Sequence, residues 1–286
     1  MERLLENKVA VITGGTRGLG LAIAETYAGA GAAVVIASRS AEAVETIVNT
    51  FQAQGLRACG MACDVADLQQ VTALAELART TFGGLDIWVN NAALSTIYGQ
   101  SAHIPMARFE ATLKANIFGT YYGSIVAMRQ FLGQGRGKLI NLLGRGDRPP
   151  VPLQNAYASS KTWARNFTLA LAKEYRARGI GVYAFNPGLV ITDMLSQVES
   201  LPGYEEQLKA LETVTRMWGN PPEVPAQKAL WLASAATDGK TGLEVKVLTT
   251  GRIVRGLLGE GWRILTRQAP QGMTVNVRTM PPEIGA

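Results

Sequence analysis

The sequence predicts a doubly wound α/β domain with a parallel sheet at its centre, and three observations carry that prediction. Short runs rich in Val, Ile and Ala recur along most of the chain and are apolar throughout rather than at alternate positions, as strands buried on both faces are. Amphipathic stretches of helical length separate them, as expected of helices that cover both sides of such a sheet. The first apolar run opens into the glycine-rich turn Thr13–Gly20 and then into a helical pattern.

Val9–Thr13 (VAVIT) reads as the first strand, and Leu19–Ala30 as a helix stopped by Gly29 and Gly31. Ala32–Ser38 is the second strand. Ser40 is placed to cap a helix reaching Gln54, its hydroxyl accepting an otherwise unpaired N–H of the first turn. Leu56–Cys63 forms a third strand, weakened by Gly60. A helix follows from Asp67 to Phe82, with Gly83 and Gly84 at its end. Leu85–Asn90, Lys138–Leu143 and Gly181–Asn186 supply three more strands, with helices around Phe109–Leu132 and Asn155–Arg178 between them. Leu243–Leu248 is a candidate seventh strand. One sheet domain is therefore expected over residues 1–250, followed by an extension over residues 251–286.

Composition excludes several classes. With 286 residues, 47% hydrophobic and 17% charged, the chain can bury a large core and is neither disordered nor of low complexity. No apolar run approaches the roughly 18 residues of a transmembrane helix. The charged start MERLLENK leads straight into the first strand, so no signal peptide and a cytoplasmic location are expected. Cys59 and Cys63 lack a second cysteine pair or clustered histidines and read as free thiols, and the single histidine, His103, leaves no His-rich metal site. No metal is expected. The net charge of +6 is diffuse, with half of the excess after Thr241. A nucleic-acid binder would cluster it, so the expected ligand is instead a small phosphate-bearing molecule.

Glycines at 14, 15, 18 and 20 stand between a buried strand and a helix. Glycine permits positive φ and lets a pyrophosphate approach bare N–H groups, and the helix N-terminus adds unpaired donors and a positive dipole end. The spacing T-G-x-x-x-G-x-G resembles that of the short-chain dehydrogenase/reductase family. Four further motifs follow in order. Asn90–Ala93 (NNAA) resembles the family's N-N-A-G, Asn116 in KANIFGT its helix asparagine, Tyr157–Lys161 (YASSK) its Y-x-x-x-K, and Asn186–Thr192 (NPGLVIT) its P-G motif with the threonine after it. The resemblance covers about residues 8–195, and more faintly 220–250. It implies a Rossmann fold, a nicotinamide dinucleotide, a small-molecule substrate and a homodimer or homotetramer.

By that resemblance the cofactor is held by Gly14, Thr16, Arg17, Gly18, Leu19 and Gly20 in the cradle, and by Asn91 and Ala92 after the fourth strand. Tyr157 and Lys161, with Pro187, Gly188, Val190 and Thr192, hold it at the other end. Asp64 and Val65 sit where the family contacts the adenine, although Asp64 is equally placed to cap the next turn. The choice between the two dinucleotides rests on charge. An acid at the end of the second strand would bond the ribose 2′-hydroxyl and repel a 2′-phosphate. Ser38 and Arg39 stand there instead, with Arg17 nearby, and guanidinium groups pair with phosphate through charge-assisted forks. The expected cofactor is NADP(H), unless both arginines are simply solvated.

Tyr157 and Lys161 are four apart in a predicted helix and share a face. A nearby ammonium is expected to draw the phenol pKa down from near 10, making Tyr157 the general acid/base. The resemblance gives Lys161 the nicotinamide ribose hydroxyls and Asn116 a water in a proton relay. The family also places a substrate-binding serine thirteen residues before the tyrosine, and here that position is Gly144. No hydroxyl is expected near that strand end. Arg145, Asp147, Arg148, a backbone N–H freed by the glycines, or Gln154 are the candidate substitutes. Three functions fit: an NADP(H)-dependent carbonyl or alcohol oxidoreductase, an imine or activated C=C reductase, and a cofactor-binding sensor without turnover.

His103 reads as a surface residue and Trp88 as core. Residues 193–222, where the family carries its substrate lid, could line an apolar pocket with Met194, Leu195, Met217 and Trp218. In the tail, Ile253, Val254, Leu257, Leu258, Trp262, Ile264 and Leu265 interleave with Arg252, Arg255, Arg263 and Arg267. Three readings fit this pattern: packing on the same domain, a subunit-interface arm, and a helix on an anionic membrane. Gly256, Gly259 and Gly261 each cost a helix about 1 kcal/mol, so the interface arm is the expected role. The last stretch, Met273–Ala286, alternates like a strand until its two prolines.

Overall fold

The computed structural model describes residues 3–270 and 272–283. The continuous apolar runs become β1 (Val9–Thr13), β2 (Ala33–Ser38), β3 (Ala58–Ala62), β4 (Ile87–Asn90), β5 (Gly137–Leu142) and β6 (Ile180–Asn186). Short pairs follow in β7 (Leu189–Val190), β8 (Gln197–Ser200) and β9 (Gly219–Asn220), then β10 (Leu243–Lys246) and β11 (Asn276–Thr279). The central sheet is parallel throughout, in the order β10-β6-β5-β4-β1-β2-β3. The chain runs outward from β1 to β3 and then returns to β4 on the other side of β1. That reversal opens a crevice at the carboxyl ends of β1 and β4, where open α/β sheets hold their ligands.

The helices are α1 (Gly18–Gly29), α2 (Ala41–Ala53), α3 (Leu68–Phe82), α4 (Met106–Leu113), α5 (Gly119–Gln134), α6 (Asn155–Glu174), α7 (Asp193–Ser196), α8 (Glu205–Trp218), α9 (Glu223–Ala233) and α10 (Thr250–Leu265). One apolar layer packs Ile23 and Tyr27 of α1, Phe51 of α2 and Leu230 of α9 on one face of the sheet. The other packs Leu74 of α3, Phe131 of α5 and Leu171 of α6 on the opposite face. Ser40 accepts from the Ala43 N–H and Asp67 from the N–H groups of Gln69 and Gln70, so both predicted caps form.

Several boundaries differ from expectation, β4 starting at Ile87 and β10 ending at Lys246 among them. β3 spans only Ala58–Ala62, although the Arg57 carbonyl and the Cys63 N–H still bond β2 on either side of it. The helix around Phe109–Leu132 is longer, and α4 and α5 meet through a π-turn at Lys114–Phe118. The helix from Asn155 stops at Glu174, four residues before Arg178.

The tail folds onto its own chain. β11 pairs in parallel with β8, and α10 lies along α8. Gly256 is the close approach: a β-carbon there would strike the Met217 carbonyl and the Trp218 ring. The Trp218 Nε1–H donates to the Ile253 carbonyl at 3.2 Å. Arg216 and Arg263 both donate to the Glu260 carboxylate at 2.8 Å. These bonds, first that of Arg216 and then that of Arg263, hold the Glu260 pKa at about 2 against an ordinary 4.5. The attachment they give is complete above the ordinary value and is lost as pH falls through the lowered one. Amide exchange along α10, corrected for intrinsic rates, should therefore accelerate as pH drops from about 4.5 to about 2. Glu260→Gln should show the faster exchange already at neutral pH; unchanged protection in that variant would contradict this account.

Candidate active site

The turn between β1 and α1 takes φ values of 65° at Gly14 and 54° at Gly18, which side chains rarely tolerate. The space a β-carbon on Gly20 would need is taken by the Gly14 carbonyl and the Asn91 amide. The Asn91 Nδ2 donates to the carbonyls of Thr13 and Gly14 at 2.9 and 3.1 Å. Thr13 Oγ1 accepts the N–H groups of Asn91 and Ala92, each at 3.1 Å, and donates to the Val89 carbonyl at 3.2 Å. The stretch after β4 is thus latched onto the cradle, and Asn91 acts there as a brace.

At the start of α1, Arg17 provides no side-chain cap, so the first-turn N–H groups face the cradle unclaimed by it. Thr16 and Leu19 are half-buried beside them. The Thr192 methyl stands over Gly18, where a β-carbon would meet it at 3.1 Å. At the far end Ser38 donates to the Ser40 carbonyl, Arg39 is exposed, and Arg17 lies 3.8 Å from the exposed Asp193. Asp64 accepts from the Ala66 N–H at 3.0 Å, the capping role foreseen as its alternative, while Val65 is buried beside Gly119.

α6 sets Tyr157 and Lys161 on one face. Lys161 Nζ lies 5.5 Å from the Tyr157 ring centroid and donates to the Leu142 carbonyl at 3.0 Å. Burial pushes the Lys161 pKa down to about 8. The Tyr157 pKa is pushed up to about 12, chiefly by burial and then by the Asp147 carboxylate. The expected lowering is therefore corrected. The ammonium sits over the ring and against a strand-end carbonyl, while the charge raising the phenol is negative.

Asn116 is buried at the π-turn, accepting from the Leu94 N–H at 2.8 Å and donating to the Leu94 carbonyl and Ser160 Oγ at 3.0 Å. Ser160 Oγ donates in turn to the Tyr157 carbonyl at 2.6 Å. The asparagine clasps the loop after β4 to the helix that carries the tyrosine.

The expectation of no hydroxyl near Gly144 is also corrected. A β-carbon on Gly144 would collide with the Tyr157 hydroxyl, so a hydroxyl does stand at that strand end. Of the candidate substitutes, Asp147 is buried and accepts from Asn186 Nδ2 at 3.1 Å; the same amide reaches the Gly144 carbonyl at 3.3 Å. Arg148 is committed to Glu244 at 2.7 Å, and Arg145 is exposed. Gln154 is half-buried at the residue before α6. Gly188, after Pro187, has φ 73° and donates its N–H to Asn186 Oδ1, while Val190 lies in β7. His103 is exposed and Trp88 is fully buried. A surface concavity lies along α6, between Leu153, Trp163 and Phe167, and its lining includes neither Tyr157 nor Lys161.

The sequence reading missed Thr13, Ser160 and Asn186 as positioning groups. It also missed a buried network in which Asn90 binds Trp88, Ser124 and Asn141, and Asn141 binds Thr168. The available signal was two asparagines inside otherwise apolar strands.

The sequence pattern of the short chain dehydrogenase family matches residues 8–202. The chain belongs to the short-chain dehydrogenase/reductase family. It is 31% identical over 240 residues to a 2,5-dichloro-2,5-cyclohexadiene-1,4-diol dehydrogenase of Sphingobium indicum, covering 83% of this chain and 94% of the relative. Among solved structures it resembles a gluconate 5-dehydrogenase from Burkholderia cenocepacia in complex with NADP and tartrate. That likeness has a TM-score of 0.76 at 27% identity and covers 86% of this chain and 95% of the other. It also resembles a 3-ketoacyl-(acyl-carrier-protein) reductase from Brucella melitensis complexed with NADH. Here the TM-score is 0.77 at 28% identity, with 87% and 99% covered. As a family member the chain is an oxidoreductase whose chemistry is hydride transfer between a nicotinamide dinucleotide and an alcohol or carbonyl. The cradle fits such a cofactor, because its glycines leave no room for side chains and the start of α1 is not capped.

Proposed function

We propose that the protein is an NADP(H)-dependent oxidoreductase that interconverts a carbonyl compound and a secondary alcohol, with Tyr157 as general acid/base. One observation carries this reading. Tyr157, Lys161 and Asn116 converge at the carboxyl ends of the strands, beside the Gly14–Gly20 cradle. Gly14, Thr16, Arg17, Gly18, Leu19 and Gly20 would hold the pyrophosphate. Asp64 and Val65 would flank the adenine, and Asn91, Ala92, Pro187, Gly188, Val190 and Thr192 the nicotinamide half. When bound, the cofactor supplies or accepts the hydride. Tyr157 Oη gives or takes the proton, and a phenol held protonated by burial and by Asp147 favours the reducing direction. Lys161 holds positive charge over the tyrosine ring, and Asn116 with Ser160 keeps that helix face in place.

Preference for NADP(H) is supported by exposed Arg39 directly after β2, by Ser38 where an acid would repel phosphate, and by Arg17. Related structures carry either dinucleotide, so the choice rests on these residues. In fluorescence titrations NADP(H) should bind at least tenfold tighter than NAD(H), about 1.4 kcal/mol. Arg39→Asp should erase or reverse that order. Equal affinity of the wild-type protein for both cofactors would falsify the assignment.

Gly144 favours a second reading, reduction of an imine or activated C=C bond, where a serine is less needed. A panel of ketones, imines and enones with NADPH separates the two; tight binding with no oxidation across the panel supports a sensor instead. A homodimer or homotetramer is supported by exposed Phe118, Tyr121 and Leu132 along one helical segment. Light scattering tests it.

A further inference from the structure

α10 is held on one side and bare on the other. Toward α8 it turns Ile253, Gly256, Glu260 and Arg263. Its other arc carries Val254, Leu257, Leu258, Trp262, Ile264 and Leu265, each at least half exposed, with Leu258 at 69% and Leu265 at 80%. A continuous apolar face of this size is unusual on a soluble surface and marks an interaction site. Exposed Arg252, Arg255 and Arg267 border it. Glu260 is the helix's one acid, and Arg216 and Arg263 already neutralise it. The face that remains is apolar with uncompensated positive charge.

We propose that α10 is an interfacial helix that rests its apolar arc on an anionic phospholipid surface, with the bordering arginines at the headgroups. Charge favours this occupant over a second copy of the chain, since two such faces would bring arginines together, whereas anionic headgroups pair with them. The glycines that count against a free amphipathic helix do not count here. Gly256 is the contact point with Trp218, and β11 fastens the far end of the tail to β8. Packing therefore holds the helix formed before it meets a surface. Among the described residues no helix is long and apolar enough to cross a membrane, so contact would be in the plane of the surface.

The test is flotation of the full-length protein with phosphatidylcholine vesicles, with and without phosphatidylglycerol. Binding is expected only with the anionic lipid and should fall as salt rises. The double variant Leu258→Ser/Trp262→Ser should lower partitioning at least about tenfold. Arg252→Gln and Arg255→Gln should each lower it about fivefold. Turnover in solution should be unchanged in all of these, which also shows that they fold, and the outcome does not depend on which substrate the enzyme takes. No flotation, or equal flotation on neutral vesicles, would overturn the proposal. So would a concentration-dependent dimer that the Leu258→Ser/Trp262→Ser variant abolishes, since a second copy would then be the occupant.

Discussion

Tyr157→Phe should lower turnover by about 10²–10⁴-fold, the usual contribution of a positioned acid/base, while leaving NADPH affinity nearly unchanged. The substitution removes one oxygen and keeps the ring that lies beneath Lys161. Lys161→Ala should damage both turnover and cofactor binding. The pH profile adds an independent readout. In the ligand-free chain Tyr157 stays protonated up to about 12, whereas Lys161 titrates at about 8. For carbonyl reduction kcat/KM should therefore hold through neutral pH and decline above about 8, as the lysine loses its charge. Wild-type rates in Tyr157→Phe would show that another group moves the proton.

Gly144→Ser adds a hydroxyl at the end of β5, yet it should lower turnover by about 10²-fold. A β-carbon at position 144 needs the space that the Tyr157 hydroxyl occupies, and displacing a reacting group by about 1 Å costs a factor of that order. Gly144→Ala should fall by a similar factor, because the collision comes from the β-carbon rather than from the new hydroxyl. If Gly144→Ser instead speeds reduction by tenfold or more, the tyrosine yields easily and a missing substrate donor limits the wild-type enzyme.

The sheet was readable in the residues because its strands are apolar at every position. Such runs have few alternatives to burial on both faces, and β1, β2, β4, β5 and β6 lie where the runs do. Caps were readable for the same local reason, as Ser40 and Asp67 act within three residues of themselves. What escaped depends on distance. The contact of Gly144 with Tyr157 joins the end of β5 to the next helix, and no local pattern marks it. Apart from Trp88, the partners of Asn90 lie 30 to 51 residues away. Nor does an amphipathic pattern say which arc of α10 turns inward. Gly256 and Glu260 decide that, through Trp218 and Arg216 on another helix.

The π-turn at Lys114–Phe118 has a consequence for tolerance to length change. Both helical segments that it joins are pinned by neighbours. Thr112 of α4 is tied to the Ser95 carbonyl, and Gly119 and Gly123 of α5 fit against Val65 and against Trp88 with Asn90. An α-helix turns about 100° per residue, so the wider turn absorbs a rotation that neither segment can take up. Removing one residue from Lys114–Phe118 would straighten the helix and swing Asn116 by about that angle away from Leu94 and Ser160. Substitutions here preserve the phase between the two halves, but a single-residue deletion does not. Apart from Asn116, whose side chain makes the clasp, the segment acts as an angular spacer whose residue count matters more than its composition.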